Sequence, residues 1–287
     1  MTDVDAFVEL RPRLFGIAYR MLGSVSDAED VVQDAFLRWQ RTDPDSVDNA
    51  DAFLTTVVVR LSLDELRSSR KRREEYVGPW LPEPLLVDEH DPAAAAELAD
   101  SLSMAFLVVL EALAPAERAA FLLHEVFGYD YDGIAAMLGK QPAACRQLVS
   151  RARRRVGERR QRYDADLRQG RELAQQFLTA CATGDVDGVM ALLSEDATLW
   201  TDGGGVAKAA RRVIAGSRKV ARFLVAITPT LPPTAEIADA VVNGQPGTLI
   251  SDGGEPIATI AYDIRDGEIV GIHVVNNPEK LTAVRVR

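Results

Sequence analysis

Three side chains in the last third of the chain have the types needed for acid–base chemistry: Asp202, Asp263 and His273, with Trp200 and Tyr262 as walls. A carboxylate or an imidazole moves protons efficiently when a dry pocket shifts its proton affinity. The structural alternative is that Asp202 caps a turn and His273 lies on a strand face. Gly203-Gly204-Gly205 is not a phosphate loop, because the strand-to-helix context and the lysine are missing. A second kind of chemistry is cationic. In the segment YDGIAAMLGKQPAACRQLVSRARRRV, Arg146, Gln147, Ser150, Arg151, Arg153 and Arg154 form one helical face. Such groups bind phosphates and base edges. Around His124 there is no metal-ligand constellation, and neither a metal nor a cofactor is expected.

The elements that carry the cations follow from periodicity. Ile134, Ala135 and Leu138 mark a short helix, and Gly139 ends it. Cys145, Leu148, Val149, Ala152 and Val156 then form one apolar stripe of a second helix. Two short helices around a glycine turn, the second basic outside, suggest a DNA-binding helix-turn-helix. An ordinary helical hairpin with a solvated cationic face is the alternative. Charge along the chain is strongly segregated. Lys140 to Arg162 holds nine basic residues and one acid, and Arg60 to Arg73 holds six and two. Asp27 to Asp51 holds eight acids and two bases, and Glu83 to Asp100 holds six acids and no base. A net charge of −10 argues against indiscriminate nucleic-acid binding, while the two cationic patches fit DNA contact in two places.

The composition, 47% hydrophobic and 26% charged over 287 residues, is that of a multidomain globular protein. Cys145 and Cys181 each sit in an apolar stripe, which predicts buried thiols and a reducing, cytoplasmic setting. No signal peptide is expected, because Met1 to Glu9 carries three acids. No apolar run reaches the length of a membrane span, so no membrane partner is expected.

The first domain reads as helices. Phe7 to Met21 ends at Gly23, and Ser26 with Glu29 predicts a capping box that starts the next helix. Ala28, Val31, Val32, Ala35 and Trp39 would be its buried stripe. A third helix begins at Asp51, packs through Leu54, Val57, Val58 and Leu61, and leaves the core as a basic end. The linker follows, with three prolines in WLPEP and its flank, then an acidic run that starts another helix at Pro92.

DAEDVVQDAFLRW, FLTTVVVRLSLDELRSSRKRRE and ALAPAERAAFLLHEVFGYDYDGIAAMLGKQPAACRQLVSRARRRV, in this order and spacing, resemble the two conserved domains of extracytoplasmic-function sigma factors. The resemblance covers about the first 160 residues. It implies RNA polymerase core, through the clamp of its largest subunit and its flap, and promoter DNA as partners. Polymerase binding would fall to Glu29, Asp30, Gln33, Asp34 and Leu37. Recognition and opening of the minus-ten element would fall to Arg60, Asp64, Arg67, Arg70, Lys71, Arg72 and Arg73. The minus-thirty-five element would be read in the major groove by Ala143, Arg146, Gln147 and Ser150, with Lys140, Arg151, Arg153 and Arg154 on phosphates.

After Arg162 arginines thin out and strands appear. Helices around Leu173–Cys181 and Val189–Leu193 precede a strand at Ala197–Thr201 and a helix at Arg218–Ile227. Strands follow at Ala235–Val242, Gly247–Ser251, Pro256–Asp263 and Glu268–Val275, with Asn243-Gly244 and Asp266-Gly267 as hairpin turns. This order suggests an α+β cone and resembles the SnoaL-like branch of the NTF2-like fold, which includes enzymes and non-catalytic binding domains. WLPEP at Trp80 to Pro84, DGGG at Asp202 to Gly205 and NPEKL at Asn277 to Leu281 are similar to signatures of the SigJ-like subgroup. Val206 stands where that pattern has arginine, and Glu279 where it has aspartate. The resemblance implies regulation in cis through Trp80, Leu81, Pro82, Asp202, Asn277, Pro278, Glu279, Lys280 and Leu281.

The expected fold is therefore two all-α sigma domains, the second with a helix-turn-helix, followed by an α+β NTF2-like cone. Residues 1–76 would form the first domain, 77–100 the linker, 101–163 the second and 166–287 the cone. The expected protein is a non-enzymatic sigma factor. A DNA-binding regulator with a cyclase- or isomerase-type cone, or one that binds a small ligand, is the alternative.

Overall fold

Gly23, at φ 67°, turns the chain out of the first helix, α1 (Asp3–Leu22), and straight into α2 (Val25–Gln40). Ser24 caps α2 by accepting the Asp27 amide at 3.1 Å. The cap therefore lies two residues before the expected Ser26, whose hydroxyl instead meets that of Ser24 at 3.0 Å. The connection is so short that only Ser24 holds the extended backbone an N-cap needs. The computed structural model describes residues 3–43, 46–87, 102–157 and 167–286, and within α3 the side chains of residues 69–74 are not described. The expected helix start at Pro92 and the 163/166 domain boundary lie outside the described residues.

The chain forms two units: Met1–Glu74 with Leu107–Arg160, and Glu75–Phe106 with Gln161–Arg287. In the first, α1, α2 and α3 (Ala50–Glu74) pack through Leu14, Ile17, Val32, Trp39, Leu54 and Val58. The helix α4 (Met104–Glu111) leads in, followed by α5 (Pro115–Glu125), with Pro115 in its first turn where the missing amide costs nothing. The helix-turn-helix is α6 (Tyr131–Leu138) and α7 (Pro142–Gly157). Asp130 caps α6 by accepting the Gly133 amide at 2.7 Å. Gly139 ends it at φ 63°, a left-handed conformation that side chains with a Cβ resist.

The second unit is an α+β cone. The helices α8 (Leu167–Thr183) and α9 (Val186–Ala191) precede β1 (Leu193–Asp202), β2 (Ile214–Ala215) and α10 (Ser217–Ile227). The strands β3 (Ala235–Val242), β4 (Gln245–Asp252), β5 (Glu255–Arg265) and β6 (Glu268–Val275) complete a sheet of order β2-β1-β6-β5-β4-β3. Asn243-Gly244 and Asp266-Gly267 take left-handed backbone at all four positions, as two-residue hairpin loops require. Two features were not legible from the pattern. Leu193 opens a strand rather than closing a helix, and β1 pairs β6 in parallel, which makes the sheet mixed. Parallel pairing joins segments far apart in sequence, so no local signal announces it.

Strand alternation gives the sheet two faces. One carries Leu199, Ile250, Ile260, Tyr262, Ile264 and Ile272 and packs against Phe177 and Cys181 of α8 and Val220 and Leu224 of α10. Phe177 and Tyr262 meet edge to face at 5.9 Å between centroids. Gly170 lets α8 approach β4, because a Cβ there would lie 2.3 Å from Pro246. The other face carries Trp200, Asp202, Gln245, Asp263 and His273, and residues of the linker are tied to it.

Candidate nucleic-acid interface and linker clasp

The recognition helix α7 presents the side chains the pattern selected. Its stripe Cys145, Leu148, Val149, Ala152 and Val156 is buried. Ala143, Arg146, Gln147 and Ser150 are exposed together near its N-terminal end, and Lys140 is exposed just before it. Arg146 stacks over the Tyr131 ring at 5.6 Å, which restrains the guanidinium without consuming its donors. The exposed arginines further along are held from α5. The nearly buried Glu117 carboxylate accepts from Arg151 at 2.9 Å and from Arg155 at 2.7 Å, and Glu125 accepts from Arg153. The Glu125 hydrogen bond holds the Arg153 guanidinium above its ordinary pKa. Lys140, Arg146 and Arg154 form no ion pair with a described residue. Glu117, Glu125 and Arg155 were missed by the sequence reading, because nothing local marks a carboxylate on α5 as a neighbour of α7.

On α2, Asp30, Gln33, Asp34 and Leu37 form an exposed stripe at i, i+3, i+4 and i+7, with Leu37 40% exposed. Glu29 is partly spent, paired with Arg11. On α3, Asp64 and Arg67 form an exposed pair at 3.0 Å. Arg60 donates to the carbonyls of Met137 at 3.2 Å and Ala136 at 3.4 Å, at the end of α6. Arg70, Lys71, Arg72 and Arg73 lie at the end of α3, and their side chains are outside the described residues. The same unit holds further ties between its early and late helices. Arg118 donates to Met21 O at 2.6 Å, and Tyr129 OH meets Thr55 Oγ1 at 3.0 Å and Asp51 Oδ2 at 3.3 Å. Arg13 lies over the Tyr129 ring and Arg20 over the Phe127 ring. Burial lowers the Arg20 pKa to about 10.

In the second unit the three signatures meet at Asp202, which is 1% exposed. Its Oδ1 accepts from Tyr76 OH at 2.5 Å and from the Gly204 amide at 3.1 Å. Its Oδ2 accepts from the Leu81 amide and from Lys280 Nζ, each at 2.7 Å. Lys280 also donates to Leu81 O and sits over the rings of Trp80 at 4.1 Å and Tyr76 at 4.9 Å. Asn277 donates to Tyr76 OH at 2.9 Å and, through its Oδ1, caps the short turn Pro278–Lys280 by accepting the Glu279 amide. Burial, then the Asp202 carboxylate, pushes the Tyr76 phenol well above its usual pKa, so it stays a donor. Leu81, Pro82 and Leu281 are buried around these groups, while Val206 points outward at 76% exposure.

Two further ties hold the linker and the start of α4. Leu85 exchanges hydrogen bonds with Asn243, donating to Oδ1 at 3.0 Å and accepting from its amide at 2.8 Å. Gln245 accepts the Met104 amide at 2.9 Å and donates to Asp263 Oδ1 at 2.6 Å, and Asp263 Oδ2 meets His273 Nε2 at 2.8 Å. The acid–base candidates therefore do not share a pocket. Asp202 is saturated by linker and tail, Asp263 and His273 face the linker side with Trp200, and Tyr262 packs into the core on the opposite face. Among the described residues no group of histidine, cysteine and acids could hold a metal, and no helix is long and apolar enough to cross a membrane.

A helix-turn-helix with an exposed basic face, in one unit with a helical bundle that bears an acidic stripe, has the features of a two-region DNA-binding factor. Residues 6–72 match the sigma-70 region 2 family and residues 103–156 match sigma-70 region 4. Over 292 residues the chain is 40% identical to the ECF RNA polymerase sigma factor SigJ of Mycobacterium tuberculosis (strain ATCC 25618 / H37Rv), covering 98% of this chain and 93% of that one. It is 34% identical over 279 residues to the probable ECF sigma factor SigI of the same strain, covering 96% and 93%. The crystal structure of M. tuberculosis SigJ aligns with a TM-score of 0.77 at 38% identity, covering 97% of this chain and 98% of that one. The chain belongs to the extracytoplasmic-function sigma factors of the sigma-70 family. It directs RNA polymerase to promoters and is not an enzyme.

Proposed function

We propose that the cone regulates promoter engagement in cis by gripping the connection between the two sigma regions. The observation that carries this reading is the buried Asp202–Lys280 pair, which binds both backbone groups of Leu81. With the Leu85–Asn243 tie it fastens the linker at two points, and the Met104–Gln245 tie holds the start of α4. Trp80, Leu81, Pro82, Asn277, Pro278, Glu279 and Leu281 serve that grip. Region 2 docks on the polymerase clamp through Glu29, Asp30, Gln33, Asp34 and Leu37, and handles the minus-ten element through Arg60, Asp64, Arg67 and the basic end of α3. Region 4 lies against the flap and reads the minus-thirty-five element through Ala143, Arg146, Gln147 and Ser150. Lys140 and Arg154 meet phosphates, and Arg151 and Arg153 join them in the orientation that Glu117 and Glu125 impose.

In-vitro transcription with core polymerase tests the proposal. The full chain, truncations after Arg162 and after Asn276, and Lys280→Ala are compared at equal holoenzyme concentration, on a promoter selected from a random library. Loss of the tail and Lys280→Ala are expected to raise transcription together, because both free the linker. Equal activity of all four forms would sink regulation in cis while leaving the sigma role intact.

A further inference from the structure

Between Asp202 and Glu236 the chain holds six cations, Lys208, Arg211, Arg212, Arg218, Lys219 and Arg222, and no acid, in a protein of net charge −10. All six are exposed. None forms an ion pair with a described residue, whereas Arg11, Arg13, Arg118, Arg151, Arg153, Arg155 and Arg168 each do. The six flank β2, the edge strand of the cone's sheet, three before it and three after. The loop bearing Lys208, Arg211 and Arg212 is fixed to the sheet, with Asn276 donating to Lys208 O at 2.9 Å and the Ala210 amide donating to Thr201 Oγ1 at 2.7 Å. The edge strand β2 follows, and α10 leaves directly from it with Arg218, Lys219 and Arg222 contiguous on its surface, off the buried stripe Val220, Ala221 and Leu224.

Helix energetics do not account for these residues. Arg218 and Lys219 stand in the first turn of α10, the positive end of its dipole, where cations are unfavourable. The chemistry of the patch narrows the partner. Phe223 is its one aromatic residue and packs onto the cone core, so a stacking platform for single-stranded bases is missing. Val206, Val213 and Ile227 are its large exposed apolar residues, dispersed along the segment and without an exposed aromatic, which is not the clustered aromatic and aliphatic anchor of a protein interface. Exposed, unpaired cations on a backbone tied to the sheet, without either feature, match the phosphates of a duplex. We propose that this edge of the cone is a sequence-independent binding surface for the backbone of duplex DNA, additional to α3 and α7.

The test uses the full chain and a short labelled duplex of arbitrary sequence, with affinity followed over a salt series. Because polymerase and the linker clasp play no part in it, its failure is separable from failure of regulation in cis. Two variants neutralise the patch, one with Lys208→Gln, Arg211→Gln and Arg212→Gln, the other with Arg218→Gln, Lys219→Gln and Arg222→Gln. Each is expected to weaken binding several-fold at low salt and to flatten the salt slope by about 0.9 for every phosphate it no longer neutralises. Arginine-to-lysine versions are expected to restore both, since phosphate neutralisation needs charge and not a particular donor geometry. A control with Arg168→Gln, Arg265→Gln and Arg285→Gln removes equal charge elsewhere on the cone and is expected to keep the slope. Unchanged slope and affinity in both patch variants overturns the proposal, and so does an equal fall in the control. Weakened binding to core polymerase with DNA binding intact overturns it in favour of an acidic protein partner.

Discussion

Lys280 joins the tail to the linker through one ammonium group, and its role can be weighed directly. Without it the Asp202 carboxylate, 1% exposed, keeps only the neutral donors Tyr76, Leu81 and Gly204. Removing one partner of a buried ion pair strands the other charge, at about 3–5 kcal/mol. Lys280→Ala is therefore expected to lower the stability of the cone by that much free energy, read by urea unfolding. Asp202→Asn with Lys280→Met is expected to cost less than Lys280→Ala alone, because no buried charge is left unpaired. The same reasoning separates the arginines of α7. Arg146 keeps its donors free over Tyr131, whereas Arg151 and Arg155 share Glu117, so a base contact suits the first and an oriented phosphate contact the others.

At the scale of elements, the helix-turn-helix depends on one backbone conformation. Gly139 sits at φ 63° and ψ 41°, and a Cβ added there meets nothing within 4 Å. The cost of Gly139→Ala is then conformational alone, about 1–2 kcal/mol, without steric collapse. The expected outcome is a lowered melting temperature of the helical unit with the recognition-helix surface preserved, measured by thermal unfolding and promoter affinity of the holoenzyme. A second element-scale feature is the Gln245–Asp263–His273 chain, which ends on the Met104 amide at the start of α4. It ties the first residue of that helix to the sheet by side-chain hydrogen bonds. Gly271 makes room for it, since a Cβ there would fall 2.5 Å from Asp263 Oδ2.

At the scale of the molecule, α3 and α6 are neighbours within one unit, joined by Arg60 and supported by the Tyr129–Thr55–Asp51 hydrogen bonds. Helices that pack together run about 8–10 Å apart. Two promoter elements some 25 base pairs apart are separated by roughly 85 Å of duplex at about 3.4 Å per base pair. On the proposed assignment of the two elements to the basic end of α3 and to α7, engagement of both at once calls for region 2 and region 4 to part. Tyr129→Phe removes hydrogen bonds worth about 1 kcal/mol and is expected to raise the open population about fivefold. A titration of core polymerase is expected to show correspondingly tighter holoenzyme formation, and an unchanged titration would argue that these hydrogen bonds do not restrain opening.

Much of this was legible in the sequence. The apolar stripes of α2 and α7 follow from a period that the helix imposes locally, and Asn243-Gly244 and Asp266-Gly267 demand left-handed backbone wherever they stand. The α+β cone after two helical regions followed from the order of such local signals. Other features required the tertiary structure. Alternation along β5 says that Tyr262 and Asp263 face opposite ways, but not which face receives α8 and which the linker. That choice sent Tyr262 into the core and left Asp263 and His273 to anchor the start of α4 rather than to share a pocket. The parallel pairing of β1 with β6, the Glu117 bridge to Arg151 and Arg155, and the convergence of Tyr76, Leu81 and Lys280 on Asp202 all join residues distant in the chain. Short-range periodicity fixes how each segment folds. The burial of one segment's face against another depends on the whole set of surfaces competing for it, and only the assembled structure resolves that competition.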